Sequence, residues 1–219
     1  MVVLTRVKVF VDYQNLYHSA RRSFCDPEAH PIVGHVRPLR LGILLKQLGE
    51  PGDPARELTK VALFRGEPTT RSHPTLQAAA QKQVAAWRAH PMLEVTTRPL
   101  RYNVTSRDHT GRPLTWDRGE EKGIDVLLAL DVVLGAVRDE YDVAVVVSGD
   151  TDLIPAIDSA MECGKRVENA VWQPDVGNAR PLRASGDRRI WSHRLTLKHF
   201  EWLSDPTDYA NLPADPSSL

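Results

Sequence analysis

An α/β fold built on a mainly parallel sheet is predicted by two features of this sequence. Short apolar runs alternate with longer stretches of helical periodicity, the pattern of successive strand–helix–strand units. Two of the apolar runs also end in carboxylates. Val7–Val11 leads into Asp12-Tyr13-Gln14-Asn15, and Val143–Val147 leads into Ser148-Gly149-Asp150-Thr151-Asp152. In parallel sheets ligands sit at the carboxyl ends of strands, where loops and helix N-termini converge.

In chain order, strands are expected at Val7–Val11, Lys60–Phe64, Leu93–Thr97, Val143–Val147 and Arg166–Val171. A first helix starts near Asn15, and turn-forming residues from Cys25 to Pro38 separate it from a second. That second helix, Leu39–Leu48, sets Leu41, Leu44, Leu45 and Leu48 on one face. Thr75–His90 repeats the spacing with Leu76, Ala79, Ala80, Val84 and Trp87, and Trp87 reads as core rather than as a base-stacking platform. Arg101–Trp116 breaks the alternation: two short polar–apolar segments flank Asp108-His109-Thr110-Gly111 and predict a projecting hairpin. The helix opened by Glu121-Lys122-Gly123-Ile124-Asp125 is apolar nearly all round through Val137, which predicts deep packing. From Asp205 onward three prolines predict a loose terminus.

The totals narrow the class. A chain of 219 residues with 42% hydrophobic content suits one domain with an ordinary core. Lys+Arg and Asp+Glu balance at 28 each, so bulk charge selects no partner. Between Lys165 and Lys198, eight basic residues face three acids, which reads equally as a phosphate-facing surface or as a solvated face. Cys25 and Cys163 form no metal-type spacing and fit a reducing, cytoplasmic setting. No signal peptide is apparent, and no apolar run approaches the ~18 residues of a membrane span.

Three acids are central: Asp12, Asp125 and Asp150, with Asp152 beside the last. Carboxylates at two such strand ends point toward one crevice and repel each other unless a cation joins them, and Mg²⁺ favours carboxylate and water oxygens. Each acid also has a bland role. Asp12 suits an Asx turn, Asp125 suits the positive end of a helix dipole, and Asp150 suits an N-cap. Separate bland roles are needed for each, whereas one metal site accounts for all. Ser148 and Gly149 form a turn whose amides suit an anion. Asn15 serves either a phosphate oxygen or water at that site, or the N-cap of the first helix. Lys122 and Arg65, each beside a strand or helix end, are candidates to hold a phosphate.

Three blocks carry a family resemblance: Val9-Phe10-Val11-Asp12-Tyr13-Gln14-Asn15, Glu121-Lys122-Gly123-Ile124-Asp125-Val126, and Val147-Ser148-Gly149-Asp150-Thr151-Asp152-Leu153-Ile154-Pro155. Together they resemble the NYN domain family, LabA-like (DUF88) branch, which is similar to PIN and FLAP nucleases. The resemblance spans about residues 7–203. It implies a three-layer α/β/α sandwich on a PIN-like five-stranded sheet in the order 3-2-1-4-5. The domain is expected over 1–204, with the hairpin near 101–116 as an insertion and a flexible tail over 205–219. The resemblance also implies RNA as partner and Mg²⁺- or Mn²⁺-dependent ribonuclease chemistry, with Asp12, Asp125 and Asp150 as metal ligands and Asp152 a fourth acid. Two features depart from the family pattern: Tyr13-Gln14 replaces a small or Gly-containing pair, and the hairpin has no counterpart. The hairpin suits RNA contact and self-association equally.

Other classes fail on residue content. No Gly-x-Gly-x-x-Gly follows the first strand, no second Asp stands two residues after Asp12, and no Gly-x-Ser-x-Gly elbow or His/Cys zinc pairing occurs. Asp150-Thr151-Asp152 matches the Asp-x-Asp of Toprim domains, but Asp12 is a poor substitute for their early Glu. The reading from a different functional class is an RNA-binding or regulatory protein that keeps the fold with little chemistry.

Overall fold

The computed structural model describes residues 3–117, 119–186 and 188–212. Its strands are β1 (Thr5–Asp12), β2 (Arg56–Glu67), β3 (Leu93–Pro99), β4 (Val104–Arg107), β5 (Pro113–Trp116), β6 (Val143–Val147), β7 (Arg166–Trp172) and β8 (Trp191–Leu195). Six of them form one sheet in the order β3-β2-β1-β6-β7-β8, parallel at every junction. The first five match the expected order once the hairpin strands take their numbers in the chain. The sixth, β8, was not expected from the sequence. It is a five-residue edge strand carrying an exposed Trp191, an exposed Arg194 and a buried His193, which leaves no apolar run to read.

Helices α1 (Tyr13–Phe24), α2 (Pro38–Gly49), α3 (Pro74–Arg88), α4 (Ile124–Val137), α5 (Ile154–Glu162) and α6 (Leu197–Leu203) cover both faces. The alternation along β1 sorts the layers, because successive side chains point to opposite faces. Val7, Val9 and Val11 join Leu16, Leu41, Leu45, Trp87 and Leu203 from α1, α2, α3 and α6. Phe10 joins Leu128, Val132, Ile157 and Ala160 from α4 and α5. The result is a three-layer sandwich, with Trp87 in the core as expected. Proline opens α2 and α3, where a missing N–H costs nothing.

Helix α4 departs from its expected burial. Leu128, Val132 and Ala136 meet the sheet, but Val126, Leu130, Leu134 and Val137 remain exposed. With only α5 beside it in this layer, a helix apolar all round covers just one side. No helix among the described residues is long and apolar enough to cross a membrane.

A buried polar group sits beneath the end of α2. Arg56 Nη2 donates to Glu168 Oε2 at 2.9 Å, and His193 Nε2 lies 2.8 Å from the same oxygen. All three side chains are almost wholly buried. Gly49 makes room for the guanidinium, since a Cβ there would lie 1.2 Å from Arg56 Nη1.

The hairpin exists as a separate antiparallel pair of β4 and β5, joined to the body by the Arg101–Glu120 bridge. The expected loose terminus is held over residues 205–212, and 213–219 lie outside the described residues. Asp205 is buried: its N–H donates to His35 O at 2.9 Å, and its carboxylate accepts from Tyr209 Oη at 2.9 Å.

His35, clasped between this segment and α1, gives a pH prediction. Burial, and then the Arg65 charge, push its pKa down to about 4, while Asp205 opposes them. The folded state resists protonation that the unfolded chain accepts near pH 6.5. The stability held above pH 6.5 should therefore be lost as pH falls toward 4, by on the order of 3 kcal/mol. Urea midpoints of wild type and His35→Gln at pH 7.5, 6 and 5 check this: the gap should shrink or invert on acidification, and a constant gap contradicts it.

Candidate metal and nucleic-acid site

Pairing between the two central strands builds the site. Val11 is opposite Val147, so Asp12 and Ser148 follow side by side at the carboxyl end of the sheet. Ser148 Oγ donates to Asp12 Oδ2 at 3.1 Å and accepts from the Asp150 amide at 3.1 Å. One hydroxyl thus ties both acids to one turn. Asn169, fully buried in β7, fixes that turn: its Nδ2 donates to Val146 O at 2.8 Å and to Ser148 O at 2.9 Å, and its Oδ1 accepts from the Leu182 amide at 2.9 Å. Sequence reasoning passed over Asn169 because a lone Asn inside a strand gives no local signal of what it holds.

The helix-capping roles are real and coexist with the acids' proximity. Asp12, not Asn15, is the N-cap of α1, accepting from the Asn15 amide at 3.0 Å through Oδ1. Asn15 instead turns its Oδ1 across to the Gly149 amide at 3.2 Å, linking α1 to the Ser148–Gly149 turn. Asp150 caps the short 3-10 turn Thr151–Leu153 through Oδ1, at 3.0 Å from the Asp152 amide. Asp125 lies in the first turn of α4 and shares with Asp152 the groove between α4 and α5.

The structure adds an acid that the sequence reading quoted but did not assign. Glu121 is pushed up to about 7, by burial first and then by the charge of Asp12, with Asp125 adding and Arg65 and the Gly66 amide opposing. Its Oε1 is buried without a hydrogen-bond partner. Asp12, only 9% exposed, is likewise raised, chiefly by burial, with Asp150 and Asp125 adding repulsion against the bonds from Asn15 and Ser148. Four carboxylates therefore feel one another at this end of the sheet: Asp12, Glu121, Asp125 and Asp150. The available signal was the pair Glu121 and Asp125 flanking Gly123, whose φ of 72° swings the chain into α4. Arg98 lies over that turn, since a Cβ on Gly123 would be 2.6 Å from its Nη1.

The expected ligand set is not assembled as such. Among the described residues no three His, Cys, Asp or Glu side chains converge in a ligand-like group. The reason is local: Asp12 and Asp150 each turn one oxygen to a capped backbone amide rather than to a common point. In donor chemistry and charge the residues still fit a hard cation. The donors are all oxygens, one buried carboxylate oxygen is unpartnered, and two of the acids are raised, by burial first and then by neighbouring carboxylates.

Two expected phosphate holders lie elsewhere. Arg65 is buried, with its guanidinium bonded to Gln83 and set over the rings of Tyr13 and Trp87, 5.4 and 5.6 Å from their centroids. Held in that aromatic slot, it is closed to a passing backbone. Lys122 points into solvent and pairs with Glu120. The basic C-terminal third also disperses: Lys165 pairs with Asp139, Arg166 with Asp53 and Arg188 with Asp158. Arg180 alone of that set lines the cleft of about 350 Å³ beside the acids, where Arg22 of α1 joins Asn15, Ser148 and Gly149. Neither Arg22 nor Arg180 meets a carboxylate among the described residues, so both are available to an anion.

A family model described as the NYN domain matches residues 6–193. No curated protein matches the chain. Among solved structures it is similar to a protein of unknown function, VPA0982 from Vibrio parahaemolyticus RIMD 2210633, with 18% identity and a TM-score of 0.45 over 76% of this chain and 81% of that one. The family match covers most of the chain and includes all three acidic blocks, so this protein belongs to the NYN domain family.

Proposed function

We propose that this protein is a metal-dependent ribonuclease, acting as an endonuclease, that hydrolyses RNA phosphodiester bonds at the acid cluster. NYN domains have a PIN-like nuclease fold, and that membership supplies the reaction class. The observation that carries the reading is the grouping of Asp12, Glu121, Asp125 and Asp150 around the ends of β1 and β6, where burial and then mutual charge raise Asp12 and Glu121 and one buried oxygen is unpartnered.

Asp12, Asp125 and Asp150 would hold Mg²⁺ or Mn²⁺ after side-chain rotation, with Asp152 at the outer edge. Such an ion supplies charge stabilisation at the phosphate. The chain's own residues do the rest. Arg22 and Arg180 bind flanking phosphates, while Asn15 and the Ser148–Gly149 turn orient the scissile one. Glu121, in the same cluster as Asp12 and outside the proposed ligand set, would accept the proton of the attacking water. Attack at phosphorus breaks the bond to the 3′-oxygen, which takes a proton from solvent water to leave as a hydroxyl, and gives a 5′-phosphate on the other product.

Incubation of single-stranded and structured RNA with Mg²⁺, Mn²⁺ or EDTA tests this. The expected result is cleavage with either ion and none in EDTA, with 5′-phosphate and 3′-hydroxyl ends. Cleavage that persists in EDTA overturns the metal mechanism. The second reading is an RNA-binding or regulatory protein of little chemistry, with Arg22 and Arg180 holding a backbone beside the acids. Intact RNA after long incubation in Mn²⁺, with binding that falls steeply with salt, would select it.

A further inference from the structure

The apolar face that α4 leaves to solvent is its own complement. Val126, Leu130, Leu134 and Val137 are 55%, 50%, 42% and 66% exposed. At about 100° per residue they fall within about 80° of one another, which makes a single narrow seam along the helix. A groove of about 320 Å³ between α4 and α5 adjoins the seam, lined by Val126, Ala129 and Val133 with Pro155 and Ala156 opposite. We propose that this seam joins two copies of the chain, with α4 packed antiparallel against α4 about a two-fold axis. The contact uses none of the four clustered acids for binding, so it stands or falls separately from the ribonuclease reading.

The order of the side chains is the first argument. A two-fold contact is isologous: where residue i meets j, j also meets i. Turning α4 end for end about its midpoint sets Leu130 opposite Leu134 and Val126 opposite Val137. Leucine meets leucine beside the axis, and valine meets valine at both ends. The flanks agree as well. On the helix surface Val126 and Val137 lie to one side of the seam, and Leu130 and Leu134 to the other. A two-fold axis perpendicular to both helices brings like flanks together, so both pairings form at once. Val126 is on the groove side, so Val137 of the second copy reaches the mouth of that groove. The four-residue steps from Val126 through Leu130 to Leu134 also form the ridge by which helices interdigitate.

Charge is the second argument, and it selects a second copy over RNA. The only charged residues of α4 are Asp125 and Asp131. Asp131, the nearer to the axis, is turned aside to Lys8, whose Nζ lies 3.2 Å from its Oδ2. Two copies therefore bring no unpaired like charges together at the centre. A phosphate backbone would find no cation on the seam, and in the groove it would meet Asp125 and Asp152. An uncharged face whose knobs fit their own reversed order suits an identical face. Four side chains from each copy are few beside the roughly 1,200–2,000 Å² of a stable interface, so the pair should be weak and depend on concentration.

Sedimentation velocity on the full chain, from a few micromolar to several hundred micromolar, reads the pairing directly. Wild type should move from the mass of one chain toward that of two across this range. Leu130→Glu and Leu134→Lys, both at exposed positions, should keep the wild-type circular dichroism spectrum and pair at least about tenfold more weakly. An equimolar mixture of these two variants should regain the two-chain mass. The introduced carboxylate then faces the introduced ammonium on one side of the axis, and the untouched leucines meet on the other. Shortening the hairpin over Thr105–Arg112 should leave the wild-type mass curve unchanged. One-chain mass for wild type throughout, an unchanged curve in either variant, or no recovery in the mixture overturns the proposal. Loss of pairing in the shortened hairpin would move the contact there and overturn it too. A one-chain wild type whose RNA binding falls in Leu130→Glu would give the face to RNA and likewise overturn it.

Discussion

Asp12→Asn is expected to lower RNA cleavage by at least about 10²–10³-fold, the scale of removing one electrostatic partner from a reaction centre. Asp12 occupies the most buried acidic position at the end of β1, and three other carboxylates are grouped around it. The substitution keeps the size and the Oδ1 acceptor that caps α1, and Asn caps helices as well as Asp. It also removes a charge that burial and two neighbouring carboxylates disfavour. Folding should therefore be retained, with a urea midpoint equal to or slightly above wild type. Asp150→Asn should behave alike, since Ser148 ties the two acids to one turn. Asp152→Asn should be mild, because this residue is exposed at the groove mouth. Near-normal, metal-dependent cleavage by Asp12→Asn and Asp150→Asn would show that the acids are misassigned.

The largest expected loss of stability lies away from the acids. Arg56→Leu removes the buried partner of Glu168 and leaves that carboxylate in the core with His193 and the half-exposed Arg166, whose Nε is 3.4 Å from Oε1. Breaking a buried ion pair from one side costs about 3–5 kcal/mol, because the remaining charge stays desolvated. Replacing Arg56 and Glu168 together by Leu should cost clearly less than the two single changes added, since no orphan charge is left. Urea denaturation of the two single variants and the double variant checks this. Additive losses would mean the pair contributes nothing beyond its separate side chains. Because the pair makes no contact with the acid cluster, the fraction of Arg56→Leu that is folded should cleave RNA normally.

Sequence patterns reported the sheet well where strands were valine-rich and failed where they were not. β1 and β6 were legible as apolar runs with a fixed period, and their terminal acids marked the functional end. β8 was not, because an edge strand needs only a half-apolar face, and its buried His193 serves Glu168 rather than an apolar core. The depth of α4 was misread for a similar reason: composition shows that a helix is apolar, not how many neighbours it has. At the site, the acids were legible because strand ends and helix starts are local features. Arg65 was misread because the aromatic slot of Tyr13 and Trp87 that buries it comes from α1 and α3, distant in sequence. Glu121 lay inside a recognised block, but its importance depends on proximity to Asp12, more than a hundred residues away.

The central claim is that these acids hold a divalent cation, and Mn²⁺ titration by calorimetry tests it most directly. Wild type should bind Mn²⁺ with release of a proton, because Glu121 is pushed up to about 7. For the same reason the affinity should climb as pH rises through about 7. Asp12→Asn, folded but lacking one of the charges, should bind at least tenfold more weakly. Equal Mn²⁺ affinity in wild type and Asp12→Asn, with no dependence on pH between 6 and 8, would contradict the account.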